Sequence, residues 1–112
     1  SWNDSEEGIA AFQEFLPSGT LAALPQNDNI IGLQNYGATL IRVPWMLLTN
    51  AGVSEQLVYD IVRAIAENKE TLGEVFGAFN RMEVSGMAPA NLMPYHPGAL
   101  RYYAEAGITV GE

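Results

Sequence analysis

The sequence predicts a mixed α/β, helix-rich fold, with one clear strand and three to four helices. Apolar side chains recur at helical spacing in several segments. Only residues 39–49 have the apolar, partly β-branched composition of a buried strand. The length of 112 residues suits a single domain, and we expect a partial one over residues 1–112. Because one strand cannot form a sheet, its partners are expected from another copy, a swapped element or additional chain.

The N-terminal third of the chain combines one helix with a long irregular connection. The first predicted helix covers residues 5–16, where Asp4 and the glutamate three residues later fit a capping box. Residues 17–39 are rich in glycine, proline and asparagine, which predicts a loop. Within it we expect a short helical turn at residues 20–24 and a short strand near residues 30–31.

The strand candidate, residues 39–49, holds the residues with the most interesting chemistry. Pro44 cannot donate a ladder hydrogen bond and therefore marks an edge or a crossing point between two sheets. Arg42 is its one charge, and a buried arginine is costly unless it is paired. Arg42 is thus expected either to meet a carboxylate of the protein or to hold an anionic ligand. Tyr36 and Trp45 can line a cleft, although aromatic residues near a strand usually belong to the core.

The C-terminal half is predicted to consist of helices over residues 54–79 and a final helix over residues 97–106. Ser54 is a favourable N-cap residue for the first of these helices. Pro97 suits the first turn of the final helix, and Gly107 suits the position just after its end.

The composition excludes several function classes. Asp and Glu number 13 against 5 Lys and Arg, a net charge of -8 that disfavours nucleic acids and anionic lipids. The absence of cysteine removes disulfides and thiolate chemistry. The one histidine, His96, is interpreted as a helix cap rather than a general base or metal ligand. The sequence contains no nucleophile elbow, phosphate loop or calcium loop, so we expect no enzyme, no cofactor and no metal.

Two blocks in the C-terminal half resemble a known family. Residues 53–68 read VSEQLVYDIVRAIAEN, and residues 93–108 read MPYHPGALRYYAEAGI. The first block is similar to the helix that follows the crossing strand in TAXI-type solute receptors. The second block resembles the segment of those receptors that contains His-Pro-Gly-Ala and Tyr-Tyr. TAXI receptors are the extracytoplasmic solute-binding components of TRAP transporters.

The resemblance implies a fold and a role for the chain. It implies the C-terminal part of a two-lobed periplasmic-binding-protein (type II) fold, with residues 39–49 as a crossing strand between the lobes. The implied ligand is a small organic anion, such as an amino or dicarboxylic acid, and the implied partners are TRAP membrane permease subunits. A periplasmic or extracytoplasmic location follows, with a signal peptide expected upstream.

The resemblance also bears on the candidate ligand residues. Gln34 matches the glutamine of a family segment that precedes the crossing strand, while the residues just before it do not match. Together with the three candidates named above, this match makes Gln34, Tyr36, Arg42 and Trp45 the residues expected to hold the ligand. The alternative is a stand-alone interaction module that binds no ligand and forms a homodimer through its unpaired strand.

Overall fold

The structure is a computed structural model that describes residues 5–90 and 93–111. Its mixed α/β composition confirms the predicted fold class. None of the helices in these residues has the length and apolar character needed to cross a membrane. The described residues form four α-helices and one two-stranded sheet, in the order α1 (Glu6–Phe15), β1 (Thr20–Leu24), β2 (Ala38–Arg42), α2 (Glu55–Glu67), α3 (Lys69–Val75) and α4 (Pro97–Glu105).

The chain divides into two compact units. The first unit is Ser1–Leu47 and contains α1 and the sheet. The second unit is Leu48–Glu112 and contains α2, α3 and α4. Each unit has its own buried residues.

The sheet of the first unit corrects two predictions. β1 runs antiparallel to β2, in a register from Thr20 opposite Arg42 to Leu24 opposite Ala38. The strand predicted over residues 39–49 therefore ends at Arg42, and it has a partner within the chain. The helical turn predicted at residues 20–24 is a strand instead. Its leucines and alanines favour a helix, but pairing with β2 outweighs that local preference.

The connection between β1 and β2 is a loop closed by its own hydrogen bonds. The Asn27 N–H donates to the Leu33 carbonyl at 2.9 Å, and the Leu33 N–H donates to the Ile30 carbonyl at 3.0 Å. Gly32 has a φ of +95°, which favours glycine. The strand predicted near residues 30–31 is therefore wrong, because turns bend the chain there. The Leu33 side chain is buried.

The first helix matches its predicted position within one residue at each end. Ser5 is the N-cap, and its hydroxyl accepts a hydrogen bond from the Gly8 N–H at 3.1 Å. Asp4, which we expected to cap this helix, lies outside the described residues. Phe12 is the buried residue of the helix.

The second unit has a continuous apolar core. α2 begins after Ser54, whose hydroxyl accepts from the Leu57 N–H at 3.2 Å, as predicted. Val53, the residue before this cap, packs against the core in the manner of a hydrophobic staple. The core consists of one buried face of α2, one face of α4 and two residues outside the helices: Val58, Val62, Ala88, Ala99, Tyr103 and Ile108.

The helix predicted up to residue 79 is shorter in the structure. α3 ends at Val75 because Phe76 adopts an extended backbone conformation, with φ -140° and ψ 106°. Two short 3-10 helices follow, at Gly77–Arg81 and Val84–Gly86. The side-chain amide of Asn80 donates to the Gly73 carbonyl at 3.3 Å, so the chain folds back onto α3.

Both ends of α4 are capped as predicted. Pro97 occupies the first turn. Gly107 has a φ of +69°, and its N–H donates to the Ala104 carbonyl at 3.3 Å. The Ile108 N–H donates to the Tyr103 carbonyl at 2.8 Å, which completes a Schellman motif. Both Ile108 and Tyr103 are buried, so the two residues that this hydrogen bond joins also belong to the apolar core.

Candidate functional site

The four predicted ligand residues all lie in the first unit, and all are exposed. Gln34 and Tyr36 belong to the β1–β2 connection, Arg42 ends β2, and Trp45 follows that strand. The side chains of Tyr36 and Trp45 are 69% and 84% exposed. The structure therefore places the four residues along one stretch of chain without enclosing them in a cavity.

Arg42 is exposed, which corrects the expectation that it is buried in a strand. It ends a sheet of only two strands, and the burial of Leu40 and Ile41 beside it is also incomplete. Among the described residues, the ion pairs are Arg63–Glu67 and Arg101–Glu55. Arg42 takes part in neither pair, so its guanidinium is accessible to an anion from solution.

His96 connects the beginning of α4 to the residue before the cap of α2. Its Nδ1 accepts a hydrogen bond from the Gly98 N–H at 3.2 Å. Because Nδ1 accepts, the proton lies on Nε2, which donates to the Val53 carbonyl at 3.1 Å. Both ring nitrogens are thus engaged with backbone, which supports the helix-cap interpretation over a catalytic one.

Gly98 allows the close approach of α4 to α2. A β-carbon at this position would collide with the Glu55 carbonyl oxygen and lie 2.8 Å from the Tyr59 backbone nitrogen. Only a residue without a side chain fits between these backbone atoms. Sequence reasoning did not assign this role, although Gly98 stands in the His-Pro-Gly-Ala motif that carries the resemblance.

The outer side of the α2–α4 contact carries a polar network centred on Arg101. Its guanidinium donates to the Glu55 carboxylate at 3.0 Å and to the Gln56 side-chain oxygen at 2.8 Å. It also lies over the Tyr59 ring, 4.2 Å from the centroid. Because the ion pair is partly exposed, we expect it to contribute less than about 1 kcal/mol to stability.

Tyr59 is expected to titrate at high pH because its hydroxyl donates to the Glu105 carboxylate at 2.6 Å. This hydrogen bond raises the pKa of Tyr59, with smaller contributions from desolvation and from the Glu105 charge. The folded state holds the phenol proton more tightly than the unfolded state. The contribution of the bond to stability is therefore present below the ordinary pKa of about 10, and it is lost as pH rises through the higher folded pKa.

Phenolate absorbance during an alkaline titration tests this prediction, with the Tyr59→Phe variant subtracted to isolate one group. We expect the Tyr59 midpoint to lie above its ordinary value and to return toward it in Glu105→Ala. Glu83→Ala, which removes an acid that does not act on Tyr59, serves as the matched control. A Tyr59 midpoint that Glu105→Ala leaves unchanged would contradict the assignment.

An open depression of about 420 Å³ lies where α2 meets α3, lined by residues 66–71 and Val84. Its charged side chains are of both signs, with Lys69 between Glu67 and Glu70. No group of three or more metal-ligating side chains converges anywhere in residues 5–90 and 93–111. The depression therefore has no charge preference that would define a ligand.

Comparison with known proteins gives a family. No curated protein matches the chain. The sequence model of the NMT1-like family matches residues 7–107, a range that contains the block at residues 53–68, the block at residues 93–108 except its last residue, and all four predicted ligand residues. Since the match spans nearly the whole chain, the protein belongs to the NMT1-like family, a periplasmic binding-protein-like family that is generally non-enzymatic.

Proposed function

We propose that the chain is part of the extracytoplasmic solute-binding component of a TRAP-type transporter of the TAXI class. In this role it captures a small organic anion and delivers it to the membrane permease subunits. The observation that carries the proposal is the family match over residues 7–107, which supports a solute-binding role. The transporter type, the permease partner and the periplasmic location rest on the sequence resemblance.

The sequence resemblance to TAXI receptors falls on the α2–α4 contact. The two blocks that resemble TAXI receptors, residues 53–68 and 93–108, form this contact. Within the second block, the His96 ring forms a hydrogen bond with the Val53 carbonyl, and Gly98 lies directly beside the Glu55 carbonyl. The resemblance thus falls on residues with defined packing roles, which is the pattern expected of a shared substructure.

The exposed Arg42 supports an anionic ligand. Its guanidinium can form paired hydrogen bonds with a carboxylate, and none of the ion pairs of the described residues engages it. Trp45, Tyr36 and Gln34 offer aromatic and amide groups along the same stretch of chain. These residues are the ones that we propose to contact the ligand.

We expect Arg42→Ala to weaken binding of a small carboxylate by about 10- to 100-fold, as for the loss of a charged hydrogen bond. The measurement is calorimetric titration with the carboxylate that most raises the melting temperature among amino and dicarboxylic acids. The matched control is Arg63→Ala, which removes an exposed cation from α2.

Equal affinity in Arg42→Ala and the original chain would remove Arg42 from the site. The absence of any melting shift across the whole panel would contradict binding by this chain. A lower melting temperature of Arg42→Ala without ligand would instead indicate a structural role.

The alternative function is a module that dimerises without a ligand, and one observation favours it. Several large apolar side chains of the first unit are exposed, including Ile31, Trp45 and Leu47 at 94%, 84% and 72%. Exposed apolar surface of this kind is typical of interaction sites. Light scattering distinguishes the two functions, because this alternative requires twice the chain mass of 12.1 kDa without any ligand.

A further inference from the structure

Residues 43–50 form an exposed apolar segment between β2 and the turn that precedes α2. None of these residues lies in a helix or strand, and all are exposed. The side chains of Val43, Trp45, Leu47 and Leu48 are 52%, 84%, 72% and 65% exposed. Endopeptidases bind substrates as extended chain, and exposed irregular segments are their preferred sites. The exposed apolar segment therefore offers an endopeptidase both an accessible backbone and large apolar side chains.

The second unit keeps its stabilising contacts when the chain is cut before residue 49. Its core residues all lie between positions 58 and 108. The hydrogen bonds from His96 to Val53, from Arg101 to Glu55 and from Tyr59 to Glu105 also lie within it. Near its C-terminal end, the Gly111 N–H donates to the Ala88 carbonyl at 2.8 Å. The helices of this unit withhold their peptide bonds from a protease unless the unit unfolds.

We propose that the exposed apolar segment is a cleavage site for an endopeptidase that accepts a large apolar side chain, and that the C-terminal product remains folded. The cut falls after one of residues 45–48. Hydrolysis consumes one water: the peptide C–N bond breaks, the carbonyl carbon gains the hydroxyl, and the leaving nitrogen gains the hydrogen. The product that begins at residues 46–49 contains α2, α3 and α4 complete.

Limited digestion of the full chain with chymotrypsin, followed by intact mass spectrometry, tests the proposal. We expect the first cut to fall after one of residues 45–48. Cleavage there should be at least about 100-fold faster than cleavage within α2, α3 or α4. The C-terminal product should then resist digestion and retain cooperative loss of its helical circular dichroism on heating. A first cut after Phe15 or Tyr36, or rapid degradation of the C-terminal product, would overturn the proposal.

A variant with serine at the four positions Trp45, Met46, Leu47 and Leu48 provides the matched control. It removes the apolar side chains and keeps the sequence of α2, α3 and α4, so we expect the intact chain to survive about tenfold longer or more. The cleavage rate per molecule should not depend on chain concentration. An unchanged lifetime in the variant, or a rate that falls as concentration rises, would show that the segment is not the accessible site.

Trypsin gives an independent test because the chain has only five basic residues. Arg42 directly precedes the exposed apolar segment, whereas the other four lie in helical elements of the second unit: Arg63, Lys69, Arg81 and Arg101. We expect the first tryptic cut after Arg42, and its loss in Arg42→Gln. A first cut after any of the other four would mean that the second unit opens more readily than the segment, contrary to the proposal.

Discussion

Replacing Tyr103 with alanine is expected to lower the free energy of unfolding of the second unit by about 3–5 kcal/mol. The Tyr103 side chain is 5% exposed and belongs to the core formed by α2 and α4. Its ring meets those of Tyr95 and Tyr102 edge to face, with centroids 5.7 and 6.3 Å apart. Alanine would leave a cavity and remove both aromatic contacts.

Urea denaturation followed by circular dichroism measures this change, and two variants control it. Tyr103→Phe keeps the ring and loses only a hydroxyl at 3.4 Å from the Met87 carbonyl, so we expect a cost of at most about 1 kcal/mol. Tyr36→Ala removes an exposed tyrosine and should change stability by no more than about 0.5 kcal/mol. If Tyr103→Ala cost no more than Tyr36→Ala, the core would not be packed around Tyr103.

Alanine at Gly98 is expected to destabilise the second unit by about 1–3 kcal/mol. Alanine is the better helix former by about 1 kcal/mol, so helix propensity alone predicts the opposite sign. The added methyl group would collide with the Glu55 carbonyl and crowd the Tyr59 nitrogen. Both are backbone atoms of α2, and they can yield only if the helix moves.

The same denaturation experiment on Gly77→Ala supplies the matched control. A β-carbon at Gly77 would have no atom within 4 Å, so we expect a change within about 0.5 kcal/mol. In Gly98→Ala, displacement of α4 should also break the bond between Tyr59 and Glu105, and the Tyr59 pKa should fall toward its ordinary value. A stabilising effect of Gly98→Ala would show that α4 does not approach α2 this closely.

The helix boundaries with strong local signals were predictable from the sequence. Ser54 caps α2, His96 and Pro97 begin α4, and Gly107 ends it, as expected. These signals depend on side chains that bond backbone groups within a few residues, or on a φ angle that glycine adopts without strain. Short-range interactions of this kind are visible in the order of the residues.

The wrong predictions concern features that depend on contacts between residues far apart in the sequence. β1, predicted as a helical turn, is a strand because β2 pairs with it. Arg42 was expected to be buried because its neighbours in sequence are apolar, yet the two-stranded sheet leaves it exposed. Apolar composition indicates that a segment can be buried, but it does not supply the layer that buries it.

The sequence by itself therefore determined the mixed α/β class, the capped helices, the acidic charge and the resemblance on which the solute-binding assignment began. Only the tertiary structure decided the pairing of β1 with β2, the role of Gly98 between two helices and the exposure of residues 43–50. The physical reason is the range of the interactions. Caps and helical periodicity act over a few residues, whereas strand pairing, helix contact and burial depend on residues that only the folded chain brings together.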